Sequence, residues 1–353
     1  MPPIRVVQYG VGPIGAGIVR LMLEKPDLRI VGALDIDPAK RGKDLGEVVE
    51  AGRKLGVRVS DDVETVLRAG ADIVVHSTTS YLTQVADQLA ACLRAHAHVI
   101  STCEELAYPF RKHPQLSQYL DRTAREQKAV LLGTGVNPGF AMDKLVLTLS
   151  AACQRVDFVQ VRRVVDAARR RLPLQRKVGA GLTVEEFHAQ VAAGRIKHHG
   201  LPESAAMIAD VLGLPVGNFQ EFVEPVVASE TVGMESSPVP AGRVLGVRQC
   251  LSARAEGKEC IQLKLEMYLG APHPVDAITI GGVPELTLTI PGGIHGDLAT
   301  AAIVVNCIPA VLEAEPKMEG KSLVLLLIPK PGKGKSGAKI AQNENQPQRS
   351  QEV

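Results

Sequence analysis

A glycine-rich loop near the start of the chain constrains the fold most strongly. The loop reads Gly10-Val11-Gly12-Pro13-Ile14-Gly15; it follows an apolar, strand-like segment at Ile4–Gln8 and opens a segment with helical periodicity. In this context the first glycine makes a tight turn, the second lets the backbone approach a pyrophosphate, and the third lets helix and strand pack closely. Free N–H groups at the helix start favour phosphates. We therefore predict a dinucleotide site that includes Gly10, Gly12, Pro13, Ile14 and Gly15, rather than an ordinary glycine-rich turn.

An acidic residue stands where such a site recognises ribose. Asp35 directly follows the apolar segment Leu28–Leu34, at the distance from the glycine loop where a carboxylate holds the ribose 2′-OH. It favours NAD because it repels a 2′-phosphate. Lys40 and Arg41 follow, and either a 2′-phosphate contact or a solvated helix start would explain them. The predicted cofactor is NAD or NADP, with a preference for NAD.

The alternation of segments predicts a two-domain α/β protein. Strand-like runs at Ile73–His76, His98–Ser101 and Ala129–Leu132 alternate with helical stretches, which indicates a Rossmann-type, doubly wound parallel sheet over residues 1–136. Residues 137–296 hold one long strand, short helices and then successive strands, which predicts a second α+β domain with a mostly antiparallel or mixed sheet. We expect 297–328 to pack back on the first domain and 331–353 to be a disordered tail.

Composition excludes several classes of function. The net charge is +2 and aromatic residues are 3% of the chain, which argues against a nucleic-acid binder. Apolar runs fall short of the roughly 20 residues that span a bilayer. The six cysteines have no CxxC spacing, and neither His96 with His98 nor His198 with His199 has a third ligand nearby, so we predict no metal site. These features are typical of a cytoplasmic protein without a membrane or nucleic-acid partner.

Three loops should meet at the carboxyl ends of the parallel strands, where ligands of such sheets bind. The first contains Ser77, Thr78 and Thr79, which we assign to the nicotinamide ribose. Thr79 or Ser80 could also simply cap the next helix, and both roles can hold at once. The third joins the domains and contains Asn137, Pro138 and Phe140. Asn137 could hold a cofactor or substrate amide, or the loop could be a tight interdomain turn.

The second loop contains the side chains that could react with a substrate, two glutamates and a cysteine. It runs from Ser101 through Thr102, Cys103, Glu104 and Glu105 to Tyr108 and Pro109, and Thr102 is a further candidate for cofactor binding. A glutamate beside an apolar cofactor face can have a raised pKa and can transfer protons. The pair could equally begin a helix, where acids suit the dipole. Cys103 could be a nucleophile, but such a cysteine is more often a small buried residue.

The second domain offers further candidates. The stretch from Arg162 to Lys177 holds seven cations against Asp166, and it fits an interface or cofactor-edge loop balanced by acids better than a carboxylate clamp. His295 precedes the last helical segment and is a candidate for substrate contact.

Several blocks of the sequence resemble one branch of the dihydrodipicolinate-reductase-like superfamily, the 2,4-diaminopentanoate dehydrogenases and native amine dehydrogenases. The resemblance rests on the glycine loop, Ser101–Leu106, Gly135–Phe140, the long block from Val164 to Thr183, and Gly296–Ala301. Together the blocks span about residues 4–310. The paired histidines, lysine and Ser-Gly-Thr segment of dihydrodipicolinate reductases are missing, which makes a role in lysine biosynthesis doubtful.

The resemblance implies reversible, NAD(P)-dependent oxidative deamination of a primary amine to a ketone or aldehyde and ammonia, in a homodimer. It assigns the catalytic carboxylate to Glu104. The substrate-binding candidates are Glu104, Tyr108, Asn137, Pro138, Phe140, Arg162, His295 and Thr300. Tyr81, Tyr108, Phe110 and Phe140 fall in or near the three loops, which predicts a compact apolar amine pocket.

Two alternatives stay open from the sequence. One is another NAD(P)-dependent reductase on the same fold, acting on an imine, a hydroxyl or a semialdehyde; the last would use Cys103. The other is a non-catalytic nucleotide-sensing protein, which would leave the acidic loop unexplained.

Overall fold

A computed structural model of the chain describes residues 2–169, 172–232 and 238–314, without the side chains of residues 169 and 172–174. The predicted tail at 331–353 lies outside the described residues, as does the end of the segment 297–328.

The N-terminal half forms one parallel sheet. Its strands are β1 (Ile4–Tyr9), β2 (Leu28–Leu34), β3 (Val59–Ser60), β4 (Ile73–His76), β5 (His98–Ser101) and β6 (Leu131–Gly133). Its helices are α1 (Pro13–Met22), α2 (Leu45–Val48), α3 (Val63–Arg68), α4 (Leu82–Arg94) and α5 (Pro114–Glu126), with a 3-10 helix at Glu104–Ala107. The strand order is β3-β2-β1-β4-β5-β6 with all neighbours parallel, so the predicted doubly wound sheet is confirmed.

Helices cover both faces of this sheet. The central strand β4 is buried along its whole length, as expected for a strand between two helical layers, and only its last residue, His76, is polar. Ile18 and Met22 of α1 pack into one core cluster, and Leu89 of α4 with Leu120 of α5 packs into another. The sequence missed β3, because a two-residue edge strand leaves almost no periodic signal.

The C-terminal half builds a second sheet. Its strands are β7 (Arg155–Asp166), β8 (Phe219–Val227), β9 (Val244–Ala255), β10 (Lys258–Tyr268), β11 (Val275–Val283) and β12 (Leu286–Pro291). Its helices are α6 (Lys144–Ser150), α7 (Leu172–Lys177), α8 (Val184–Ala192), α9 (Leu201–Leu212) and α10 (Gly296–Glu313). The order is β12-β11-β7-β10-β9-β8, and β7 pairs parallel with β10 while the other pairs are antiparallel. The predicted mixed sheet is therefore confirmed.

Alternation along β7 separates two faces of this sheet. Val161 and Arg163 are buried on the inner face, which packs on Val146 of α6 and Ile208 of α9. Gln160 and Arg162 are exposed on the outer face, since successive side chains of a strand point to opposite sides.

The last described helix, α10, returns to the first sheet. Val304 and Ile308 lie in the same core cluster as Ile18 and Met22 of α1. By length and apolar composition alone α10 could cross a membrane, but core helices of soluble proteins share that property, so this is weak evidence. The domain boundaries at 136 and 296 stay predictions.

Candidate active site

The glycine loop has the geometry of a dinucleotide cradle. Gly10 has φ +89°, and a Cβ there would lie 2.4 Å from the Ser77 carbonyl oxygen. A Cβ on Gly15 would lie 2.0 Å from the Gly10 carbonyl oxygen, so both positions are sterically closed. A Cβ on Gly12 would meet no protein atom within 4 Å, and Gly12 starts α1 without a side-chain cap. The loop therefore leaves open space above uncapped helix N–H groups, which fits a pyrophosphate.

Side chains beneath the loop hold it in place. Ser77 Oγ donates to the Gly10 carbonyl at 2.9 Å, and Gln8 Nε2 donates to the same carbonyl at 2.8 Å. Ser77 thus supports the loop as well as lining the cavity described below. Its neighbours Thr78 and Thr79 line that cavity too.

Asp35 is tied to the loop and to a lysine. Its Oδ2 accepts from the Val11 N–H at 2.8 Å and from Lys40 Nζ at 3.1 Å, while Oδ1 accepts from the Asp37 N–H at 2.9 Å. Arg41 instead forms an ion pair with Asp61. Because Asp35 contacts both the glycine loop and Lys40, these two charged residues share one end of the predicted cofactor site, whereas Arg41 is paired with Asp61. The side chain after Asp35, Ile36, is 82% exposed.

A cavity of about 380 Å³ lies between the strand-end loops and the inner face of the second sheet. From the loops and α1 it is lined by Ile14, Ser77, Thr78, Thr79, Ser80, Thr102, Glu104, Gly135, Val136, Asn137 and Pro138. From the second sheet and α10 it is lined by Arg163, Val165, Val247, Leu265, Met267, Gly296, Asp297 and Thr300. A third wall consists of Lys177, Val178, Ile196, Lys197, His198 and His199. The cavity volume suits a small organic substrate beside a cofactor ring.

The two adjacent glutamates have different environments. Glu104 is partly buried, lines the cavity and makes no ion pair among the described residues. Burial raises the pKa of the Glu104 carboxyl, while a hydrogen bond with Ser80 and the charge of Lys177 oppose the rise. A carboxyl with a raised pKa is a stronger proton acceptor than an ordinary glutamate and can exchange a proton with a group bound beside it.

Glu105 is a structural carboxylate. It accepts from the Leu82 N–H at 2.8 Å, Lys112 Nζ at 2.7 Å and His113 Nε2 at 2.9 Å. Burial alone would raise its pKa, but the hydrogen bonds with Lys112 and Leu82 lower it. The alternative role of Thr79 or Ser80, capping α4, is not observed: that helix has no side-chain cap of this kind, and the Glu105 carboxylate accepts from its first N–H, that of Leu82.

Two buried polar side chains in the cavity have atoms without a hydrogen-bond partner among the described residues. Asn137 is 7% exposed, and both its amide oxygen and its amide nitrogen are unpaired. His198 Nδ1 is also unpaired, and burial lowers the pKa of this imidazole to about 3, so the ring is neutral. Leaving such groups unsatisfied costs about 1–3 kcal/mol each, so they fit atoms that recognise a ligand.

The structure does not bring four predicted substrate residues to this cavity. Arg162 points to the outer face and forms an ion pair with Glu266 at 3.0 Å, while its neighbour Arg163 lines the cavity. The Tyr108 hydroxyl donates to Asp210 at 2.9 Å. Phe140 is 37% exposed away from the cavity, and His295 caps α10 through the Leu298 N–H.

Those placements correct the picture of an aromatic pocket. No Tyr or Phe is among the described lining residues. Tyr108 and Phe110 contact each other at 5.0 Å, and Tyr81 packs edge-on against His199 at 4.7 Å, behind the cavity wall. The rings support the loops, and the cavity surface is a mixture of aliphatic and charged groups.

The structure argues against Cys103 as the nucleophile of a semialdehyde reductase. Cys103 is 1% exposed, its thiol donates to the Ser80 carbonyl at 3.3 Å, and burial raises its pKa to about 12. A thiol in that state is a poor nucleophile. Among the described residues no group of three His, Cys, Asp or Glu side chains could hold a metal.

Sequence reasoning noted Arg163, Lys177, His198 and His199 but did not place them in the site. The signal for Arg163 was available, because Val159 and Val161 mark every second residue of β7 as buried. Two further basic residues of the stretch, Arg170 and Arg171, lie outside the described residues.

Comparison with known proteins agrees with this architecture. Residues 4–104 match the model for the dihydrodipicolinate reductase N-terminus, and residues 140–338 match the 2,4-diaminopentanoate dehydrogenase C-terminal domain. A curated 2,4-diaminopentanoate dehydrogenase from Acetoanaerobium sticklandii is 30% identical, covering 90% of this chain and 92% of the relative. An amine dehydrogenase from Streptomyces virginiae is 24% identical, covering 89% of this chain and 94% of the relative.

A solved structure completes the comparison. The amine dehydrogenase of Mycobacterium smegmatis aligns with a TM-score of 0.76 and 30% identity, over 88% of this chain and 93% of that one. This chain is therefore an oxidoreductase acting on CH–NH2 groups and belongs to the 2,4-diaminopentanoate dehydrogenase family.

Proposed function

We propose that the protein catalyses reversible, NAD(P)-dependent oxidative deamination of a primary amine to a ketone or aldehyde and ammonia. The observation that carries this is the Glu104 carboxyl, which has a raised pKa and faces a cavity between the dinucleotide loop and the second sheet. A group that must accept a proton from an ammonium and stabilise an iminium cation needs this combination of proton affinity and negative charge.

Different residues of the site would bind the cofactor, transfer protons and exclude water. The loop at Gly10–Gly15 would bind the pyrophosphate of a dinucleotide, and the nicotinamide supplies hydride transfer when bound. Asn137 can pair its amide with a carboxamide or with the substrate. Glu104 orients the amine or ammonia and moves the protons on nitrogen. Val165, Val247 and Leu265 exclude water from one side of the reacting carbon.

The test is an amine panel with NAD and NADP, monitored for reduced cofactor, together with ammonia-dependent oxidation of reduced cofactor by matching ketones and aldehydes. We expect turnover in both directions. Ketone reduction that is independent of ammonia would favour a hydroxyl-forming reductase, and cofactor binding without any turnover would favour a nucleotide sensor.

We infer a preference for NAD that Lys40 moderates. Asp35 repels a 2′-phosphate, whereas the ammonium of Lys40, 3.1 Å from Asp35, attracts it. Lys40→Ala should weaken NADP binding about tenfold, corresponding to about 1.4 kcal/mol, and leave NAD binding nearly unchanged. Titration of both cofactors into this variant checks the prediction, with the exposed neighbour Lys43→Ala as the control. An equal loss for both cofactors would contradict it.

We also propose a homodimer formed through the outer face of the second sheet. Phe222 is 58% exposed on that face, beside Cys250 on β9. Arg162 and Arg248 flank the buried Glu266 there. An exposed ring among paired charges is typical of a surface that contacts another protein.

Sedimentation tests the dimer. Phe222→Glu should convert the protein to monomers at micromolar concentration, because it places a charge in the contact. Phe110→Glu is a matched control, since Phe110 is 53% exposed but lies in the first domain. A monomeric wild type, or a dimer that survives Phe222→Glu, would refute this arrangement.

A further inference from the structure

Most charged side chains in the cavity are already engaged by the protein. Arg163 donates to Asp276 at 2.6 and 2.7 Å and to the Ile294 carbonyl at 2.6 Å. Lys197 forms an ion pair with Glu221. Burial keeps His198 neutral at physiological pH, and burial lowers the pKa of His199 as well.

Lys177 is the exception among the cations. It ends α7 and lines the cavity together with Val178, Ile196 and His198. Within residues 2–169, 172–232 and 238–314, no carboxylate forms an ion pair with it. Its charge acts on Glu104, His198 and His199, so its ammonium group lies within electrostatic reach of all three. A cation in the last turn of a helix is an ordinary structural role, and both Arg176 and Lys177 hold that position. Of these two residues, only Lys177 lines the cavity.

The proposed deamination needs protons moved at two different atoms. In the reductive direction, the nitrogen lone pair of ammonia attacks the carbonyl carbon and the C=O electron pair moves to oxygen, giving a carbinolamine after proton transfer. The C–O bond then breaks, oxygen leaves as water after taking another proton, and the nitrogen lone pair forms the C=N bond. One group can serve the nitrogen, but a departing hydroxyl needs an acid of its own on the oxygen side.

We propose that Lys177 is a second catalytic residue of this site: its ammonium group protonates the oxygen that leaves the carbinolamine, while Glu104 serves the nitrogen. In the deamination direction the neutral Lys177 amine removes a proton from the water that adds to the iminium carbon. This assignment rests on the proposed amine dehydrogenase activity. It gives the nitrogen and the oxygen of the carbinolamine one acid–base group each.

Rapid mixing in the deamination direction separates the two roles. Hydride transfer from amine to NAD precedes water addition, so Lys177→Met should still form one equivalent of NADH per active site in a fast phase. The following steady state should be slower than in the wild type by about 10²–10⁴-fold, the usual contribution of one proton-transfer group. Glu104→Gln should lack the fast phase, because the amine cannot lose its proton before hydride transfer.

Matched variants make the result decisive. Arg176→Met removes the same charge from the same helix turn outside the cavity and should leave both phases unchanged. Lys177→Arg retains the charge but cannot release a proton, so it should behave like Lys177→Met. Normal steady-state turnover in Lys177→Arg or Lys177→Met, or an equal loss of both phases in Lys177→Met, would overturn the proposal. A wild type that forms no NADH from any amine would instead refute the proposed function itself.

Discussion

Replacing Glu104 by glutamine should lower kcat/KM for deamination by about 10²–10⁴-fold while dinucleotide affinity stays unchanged. The amide keeps the size of the side chain but can neither accept a proton nor neutralise an iminium cation. Steady-state kinetics with the best amine of the panel, and NADH titration by fluorescence, measure the two quantities. An active Glu104→Gln variant would remove Glu104 from the mechanism.

The adjacent Glu105 provides the internal control, with the opposite expectation. Glu105→Gln should lower the free energy of unfolding by roughly 1–3 kcal/mol, because it weakens the bonds to Lys112 and His113 around a buried group. Its effect on catalysis should be small in the fraction that stays folded. Chemical denaturation of both variants would separate the two glutamates.

The raised pKa of Glu104 also predicts how its substitution affects stability with pH. A carboxyl whose pKa is higher in the folded protein favours folding below its unfolded pKa, and this contribution is lost as pH rises through the folded value. Ionisation of the buried Glu104 therefore costs stability as pH rises, whereas the amide of Glu104→Gln does not ionise, so the variant should match or exceed the wild-type melting temperature towards higher pH. A marked loss of stability at pH 7 would show that Glu104 has structural contacts instead.

Gly12→Ala should weaken binding of both NAD and NADP about 10²-fold and leave the fold intact. A Cβ at Gly12 meets no protein atom within 4 Å, and the backbone there has φ −72°, so alanine fits the apo protein. The methyl group would occupy the space that a pyrophosphate needs beside the loop. Calorimetric titration of each cofactor measures the loss.

Gly17→Ala is the matched control on the same helix. A Cβ at Gly17 also meets nothing within 4 Å, but it lies in the interior of α1. This variant should bind cofactor normally and gain about 0.5–1 kcal/mol of stability, since alanine costs less entropy in a helix. Cofactor binding by Gly12→Ala at wild-type affinity would place the dinucleotide elsewhere.

The parallel sheet could be predicted closely because its signals are local. The runs at Leu28–Leu34, Ile73–His76 and His98–Ser101 match β2, β4 and β5 residue for residue. The glycine loop, Asp35 and Glu104 follow strand ends, and parallel strands place their carboxyl ends on one edge of the sheet. Such residues are brought together by connectivity alone.

The opposite wall of the cavity could not be predicted in this way. The sequence suggested Arg162 as the substrate residue, but its neighbour Arg163 lines the cavity. The two differ by one position along β7, and successive side chains of a strand point to opposite faces of the sheet. Tyr108 lies four residues after Glu104 and Phe140 two residues after Pro138, yet their side chains turn outward to Asp210 and to solvent. Side-chain direction at a loop depends on what packs behind it.

The sequence by itself therefore determined the fold class and indicated the dinucleotide loop, because strand–helix alternation and the spacing of the glycines after a strand are local signals. It did not distinguish Glu104 from Glu105, and only the family resemblance singled out Glu104. Only the tertiary structure decided that Glu104 faces the cavity while Glu105 anchors α4, and that Arg163 of the second sheet and Lys177 and His198 line the same cavity. The physical reason is that burial, charge pairing and the pKa of each group depend on contacts between segments distant in sequence. A residue type alone does not report those contacts.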